Sequence, residues 1–491
     1  MKVNNINSTA FRGPLDGVVT SALRTCDMNE MVNAVGLDVG AMVIPRAYYD
    51  TKARNEYAGA ETFIREISGT FINCLSAGLF AMGISKIAAR KIEPDVKINP
   101  ESWYSKDSLE TLRCAWDKSK NTKDYIVEVL ENISGRDGNG VNEFKNIKWE
   151  NIEWIDEAKW DKIKWNNPKY AGIQDNLKTK KGFVQTFCEL VNDKNILLIM
   201  ERRMANALGS ERETELNIDG HKLSAKLENI LRDTHDMGKD IFNKNNGKEI
   251  ERAINKINKV NKVKTFGAIA ASCALGLTNQ WLNRKITEKR TGKKGFVGDV
   301  DYTSSDRGEK RKDCLLPFKK LGASVLMAGM VFSVMGVKNF KQFAKKLEFT
   351  GPVTSGNAIK TVYAATIIGR FMAADNGTEL RESMTRDYLG FLNWLVFGGF
   401  AAKGVANLLD KNGKDLFNYT KEGKGLKHWL RDMNLKTHNE IAAKGSKFAK
   451  KNMWKLNLAH AAGITYSAVT LGILLPMMNA KITEKKAKKK I

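Results

Sequence analysis

The sequence predicts an all-α fold: a multi-pass membrane helical bundle of pseudo-repeated helix pairs, with a mostly helical soluble block inserted after the first pair. Three observations carry this. Long uncharged runs come first: 67–85 and 265–283 hold 19 residues each, 321–337 holds 17, 388–402 holds 15 and 456–480 holds 25. A helix that crosses a bilayer needs about 17–25 predominantly apolar residues. The second is an internal repeat. Residues 255–290 align without a gap to 451–486 with eleven identities, among them Gly267/Gly463, Leu275-Gly276/Leu471-Gly472, Asn283/Asn479 and the run Lys285–Lys289/Lys481–Lys485. The third is the scarcity of proline, eight in 491 residues. Proline removes a backbone donor and clashes with the preceding helical turn.

Along the chain these signals divide into six segments. Residues 1–92 hold an N-terminal tail and a first apolar pair. The run 31–45 carries Asp38 in its middle, and 67–85 follows it. Residues 93–250 form the inserted Trp/Lys-rich soluble block, opened by Pro94 and Pro100. Within it, Phe183, Val184, Phe187, Leu190 and Val191 recur close to helical spacing. Residues 251–345 make a second apolar pair around a basic loop, and 346–409 a third pair whose run 361–374 carries Arg370. Residues 410–455 read as a basic amphipathic helix lying on a surface. Residues 456–491 are the last membrane helix and a Lys-rich tail.

Two shorter matches extend the repeat. Residues 321–340 resemble 389–408 through Leu321-Gly322/Leu389-Gly390, Phe332/Phe400, Gly336-Val337/Gly404-Val405 and Asn339/Asn407. Arg65-Glu66 precedes Gly69 and Gly83 much as Arg386-Asp387 precedes Gly390 and Gly404. Two helix types therefore alternate: one at 31–46, 265–284, 361–374 and 456–480, the other at 66–90, 318–345 and 387–410.

The net charge of +25 admits nucleic acid, anionic lipid or an acidic protein as partner. The basic residues crowd beside apolar runs, at 284–294, 307–320 and 481–490. Juxtamembrane placement favours anionic headgroups of a lipid bilayer over nucleic acid. A protein partner or a homo-oligomer stays open. The loop 284–320 holds twelve Lys/Arg and the tail six; both belong in the cytoplasm by the positive-inside rule. Seven spans satisfy that but export the basic 410–455 segment. Asp16, Arg24, Asp27 and Glu30 interrupt the N-terminus, so no cleavable signal peptide is expected. Six cysteines without CxxC spacing read as free thiols.

Catalytic chemistry has no positive signal: there is no P-loop, GxSxG, helix-opening GxGxxG or HExxH. The chain is not expected to be an enzyme, and no cofactor or metal is expected. His235 beside Asp236 lacks further ligands in sequence, and a calcium loop from Asp137 fails at Asn142 and Lys148. Ionisable residues inside apolar runs are the default functional candidates, here Asp38, Arg370 and His460. Gly36-Leu-Asp-Val-Gly40 has the small-xxx-small spacing that lets helices approach, and an Asp38–Arg370 or Asp38–Arg46 pair would hold the bundle together. Trp149, Trp154, Trp160 and Trp165 are candidate interfacial aromatics, since indole is apolar with one polar tip; a small Trp-rich core is the competing reading.

The opening Asn7-Ser-Thr-Ala-Phe11-Arg-Gly13, with Gly36–Gly40 and Ile44-Pro-Arg46, resembles uncharacterised multi-pass bacterial membrane proteins with an Asn-x-x-x-Phe-x-Gly opening. The resemblance covers the first ninety residues and implies the bacterial inner membrane, with no activity attached. Three roles compete: a structural, scaffolding or interaction membrane protein; a transporter or channel built from duplicated helix pairs; and a peripheral basic protein binding anionic lipid or nucleic acid.

Overall fold

The computed structural model describes residues 14–137, 140–149, 152, 172–190, 194–292, 313–349, 355–419, 423 and 425–488. The chain is mostly helical, as predicted, and divides into two compact units.

Unit 1 gathers Met1–Met28, Ile92–Lys259 and Lys403–His460. Its centre is a four-stranded antiparallel sheet, which an all-α reading does not predict. The strands β1 (Ile133–Asp137), β2 (Gly140–Glu143), β3 (Thr214–Ile218) and β4 (His221–Ala225) lie in the order β2-β1-β3-β4. Asp219 and Gly220 turn β3 into β4 with φ of 49° and 83°. That is the left-handed pair a tight hairpin requires, and Asp-Gly supplies it at low steric cost. The helices Lys106–Asp117, Thr122–Glu131, Lys194–Leu208 and Leu227–Met237 bury Leu109, Leu112, Val129, Met200 and Leu231 in the same core as Leu216 of β3.

Trp149 belongs to this core rather than to an interface. It is 8% exposed, with its ring centroid 5.4 Å from Phe144 and 5.3 Å from Phe183. Trp154, Trp160 and Trp165 lie outside the described residues. The segment 410–455 is also not a single amphipathic helix. Strands β5 (Phe417–Tyr419) and β6 (Met433–Leu435) pair there, followed by the helix His438–Ala443. Leu416, Phe417 and Ile441 pack with Leu456 in a small core.

One acid in unit 1 gives a measurable pH signature. Asp233 is buried and accepts hydrogen bonds from Ser108 Oγ at 2.8 Å and Arg232 Nη2 at 3.1 Å. Burial outweighs these partners and pushes its carboxyl up to about 6. The folded state therefore holds this proton at pH values where the unfolded chain has released it. The associated stability is complete below about pH 4 and is lost as pH rises to about 6. Relative to Asp233→Asn, the wild type is expected to lose on the order of 2–3 kcal/mol across that window and stay level above it. Urea unfolding followed by tryptophan fluorescence at several pH values would check this; parallel curves for the two proteins would contradict it.

Unit 2 gathers Asn29–Lys91, Val260–Ala402 and Ala461–Ile491. Among the described residues, three helices are long and apolar enough to cross a membrane: Glu56–Lys91, Leu316–Met335 and Ser446–Ile482. The last is shared between the units, with only its residues from Ala461 in unit 2.

Glycines set the closest contacts of unit 2. A Cβ on Gly472 would lie 2.3 Å from the Ala41 carbonyl oxygen. One on Gly369 would lie 2.6 Å from the Leu277 carbonyl, and one on Gly276 would lie 2.7 Å from Thr366 Oγ1. One on Gly463 would lie 2.8 Å from the Gly398 carbonyl. By contrast Gly36 and Gly40 have nothing within 4 Å of a built Cβ. The predicted small-xxx-small approach is not made there.

Many large apolar side chains of unit 2 point outward. Phe63, Phe71, Leu79 and Ile87 are exposed on Glu56–Lys91. So are Phe266, Trp281 and Leu282 on the helix Lys248–Thr291, Phe318, Leu321 and Val325 on Leu316–Met335, and Ile473 and Leu474 further on. The charged residues described next point inward.

Candidate functional site

The inward charges of unit 2 form one network. Glu66 lies on the helix Glu56–Thr70, whose first turn is capped by the Asn55 side chain accepting from the Ala58 amide. Its carboxylate meets three guanidinium groups: Arg46 at 3.6 Å, Arg65 at 3.3 Å and Arg370 at 3.5 Å. Arg370 also pairs with Asp387 at 3.0 Å, and Asp387 takes Arg386 at 3.1 Å. These groups are enclosed: Arg46 is 4% exposed, Glu66 7%, Arg370 3% and Asp387 1%. Burying a charge is tolerated only where partners replace its water, and here each carboxylate has more than one. Gly69 and Gly390 border the arginines at ordinary contact distance. A Cβ on Gly69 would lie 3.4 Å from Arg370 Nη2, and one on Gly390 3.9 Å from Arg46 Nη2.

Of the sequence candidates, Arg370 is central to this network. Asp38 adjoins it without an arginine partner of its own: Thr70 Oγ1 donates to Asp38 Oδ2 at 2.6 Å. The arginines predicted for Asp38 are taken by Glu66 and Asp387 instead. The missed residues, Glu66 and Asp387, sit at the edges of their uncharged runs, where a charge reads as a helix end.

Four helices of unit 2 widen into π-helical turns near these residues, at Asp38–Val43, Phe71–Ser76, Asn393–Phe397 and Ala468–Leu474. A π turn shifts the hydrogen-bond ladder by one residue and leaves a carbonyl short of its partner. Arg46 Nε answers this by donating to the Leu471 carbonyl at 2.9 Å. Thr366 Oγ1 donates to Asn73 Oδ1 at 2.8 Å inside another of the four. Two polar atoms in the network, Arg370 Nε and Asp387 Oδ2, are enclosed without a hydrogen-bond partner.

His460, the third candidate, lies in unit 1 and has a different setting. Its ring stacks on His438, with centroids 5.3 Å apart. His438 follows the N-cap of the helix His438–Ala443, where Thr437 and Glu440 form a capping box. Its backbone N–H donates to Asp27 Oδ2 at 2.9 Å, and its Nδ1 lies 3.2 Å from the same oxygen. Arg212 holds Asp27 Oδ1 through Nη2 and donates to the Asp27 carbonyl at 2.8 Å. Burial opposes ionisation of Asp27, but His438 and Arg212 outweigh it and hold the carboxyl well below the ordinary range. Nearby, burial and the Glu440 carboxylate push Glu211 up to about 8. Residues 27, 212, 438 and 460 are too far apart in sequence for any local pattern to join them.

Comparison with protein-family profiles, with curated protein sequences and with solved structures finds no match to this chain.

Proposed function

We propose that the chain is an integral membrane protein, with unit 2 in lipid, and that its role is structural: a bundle that anchors unit 1 for interaction with a partner. The observation that carries this is the inverted polarity of unit 2. In water, large exposed apolar patches are rare and mark an interface. Here they run along several helices, while four arginines and their carboxylates occupy the interior. Lipid reverses the usual preference, and intramembrane charges face the bundle interior paired with one another.

The contacts also favour a duplicated A–B–A helix triplet as the plan of unit 2. In this reading 31–46, 66–90 and 265–284 match 361–374, 387–410 and 456–480. Arg46 then matches Arg370, and Glu66 matches Asp387. The repeated glycines take corresponding neighbours: Gly276 meets Thr366 and Gly472 meets Ala41. Asn283 reaches Ser68 Oγ at 3.4 Å, as Asn479 reaches the Glu382 carbonyl at 3.3 Å. With the helix Leu316–Met335 as a seventh crossing between the triplets, the Lys/Arg-rich 284–320 loop and the tail would share the cytoplasmic side and meet anionic headgroups there.

Carbonate washing of membranes tests this first. The full chain is expected to stay in the pellet and to need detergent for release. A monodisperse protein in detergent-free buffer would overturn the proposal. Transport is the second reading, favoured by the π-helical turns beside charges at the junction of two repeats, where transporters place their sites. Solute or proton flux in proteoliposomes, abolished by Asp38→Asn in a protein that still folds, would establish transport over scaffolding.

A further inference from the structure

The polar cluster of unit 1 has the donor set of a metal centre. Asp27, His438 and His460 each offer a ligand atom, and those atoms lie within 4.8 Å of one another. A carboxylate with two imidazoles suits a borderline divalent ion such as zinc, which takes His nitrogen and Asp oxygen. Softer copper(I) and harder calcium prefer other donors.

Hydrogen-bond accounting separates this trio from an ordinary buried pair. The Asn457 side-chain amide donates through Nδ2 to Thr20 Oγ1 at 2.8 Å. That leaves Asn457 Oδ1 as the acceptor facing His438 Nε2 at 3.0 Å. His438 therefore carries its proton on Nε2 and turns Nδ1 toward Asp27 Oδ2, 3.2 Å away. In the neutral ring Nδ1 is a lone pair, so two electron-rich atoms face each other. A cation between them, or a second proton on the ring, removes the conflict. The arrangement of Asn457 is the outer shell typical of a ligating histidine, whose other N–H is held by a carbonyl oxygen.

His460 favours the cation. Its Nε2 is enclosed and has no hydrogen-bond partner. A buried polar nitrogen left bare is costly, and an extra proton on His438 does nothing for it. One ion bound by Asp27 Oδ2, His438 Nδ1 and His460 Nε2 would satisfy all three atoms. Arg212 bears on the same carboxylate through the other oxygen, Oδ1, so the ion would share Oδ2 only with the His438 backbone N–H.

We infer that Asp27, His438 and His460 form a binding site for one divalent transition-metal ion of the zinc class, with Asn457 orienting His438. The test uses the tag-free full chain in detergent, stripped with a chelator and titrated with Zn2+ by calorimetry. One equivalent is expected to bind and to raise the unfolding temperature. His460→Gln and Asp27→Asn are each expected to weaken binding by about tenfold or more, and Asn457→Ala by a comparable outer-shell factor. His221→Ala, at the exposed first residue of β4, should change nothing. If a variant does not fold, X-ray absorption of the zinc-loaded wild type decides: two imidazole ligands with oxygen uphold the site, and their absence overturns it. Failure of the stripped wild type to bind one equivalent, or unchanged affinity in a folded His460→Gln, also overturns it.

Discussion

Glu66→Gln is expected to destabilise unit 2 by about 3–5 kcal/mol, the largest effect of any single conservative change in this chain. The substitution keeps the shape of the side chain and removes one charge. That charge is shared by Arg46, Arg65 and Arg370, at 3.3–3.6 Å. Without it, Arg46 and Arg65 lose the carboxylate they pair with, while Arg370 and Arg386 share Asp387. The cost is that of uncompensated buried charge, and it should shrink when an arginine is removed as well. The double variant Glu66→Gln/Arg370→Gln is therefore expected to be less destabilised than the sum of its singles, by at least about 1 kcal/mol. Unfolding in mixed micelles, read by far-ultraviolet circular dichroism, gives all four corners of the cycle. Strict additivity would mean that the two side chains do not share a network.

The same network shows how far a sequence can be read. Arg370 and Asp38 stand out because a charge inside an apolar run is costly unless something answers it. What answers it is set by tertiary placement. Glu66 pairs with residues on either side of it in the chain, Arg46 and Arg370, and neither lies at a helical spacing from it. The helices of unit 2 were legible from uncharged length, whereas their π-helical turns carry no composition of their own. In unit 1 the hairpin Thr214–Ala225 did have a signal. Asp219-Gly220 sits between two alternating runs, the strongest short-range hairpin mark, but five-residue strands are brief beside the helical patterns around them. The pairing of β1 with β3, Ile133 opposite Leu216, has no local signal at all. The site at Asp27, His438 and His460 has none as a set: His460 stands out inside its apolar run, but Asp27 and His438 alone read as ordinary side chains, and nothing local joins the three.

Glycine shows the opposite error, a local motif that tertiary structure does not use, and it supplies the second large prediction. Gly369→Val is expected to cost about 3 kcal/mol or more, while Gly40→Val is expected to stay within about 0.5 kcal/mol of wild type. Both sit in helical runs of the same type, and the small-xxx-small spacing would have singled out Gly40. At Gly369 the new Cβ would fall 2.6 Å from the Leu277 carbonyl oxygen, 2.7 Å from the Leu277 Cα and 2.9 Å from the Gly276 carbonyl. All three are backbone atoms, so no side-chain rotation relieves the clash and the helices must separate. Separation also loosens the Thr366–Asn73 hydrogen bond one helical turn away. At Gly40 nothing lies within 4 Å, and a side chain there adds apolar surface to an outward face. In lipid that is neutral; in water it would promote self-association. Thermal unfolding of the two variants in detergent measures the contrast. Equal losses at the two positions would mean that Gly40 is packed against a neighbour, and that the helix contacts described for unit 2 are wrong.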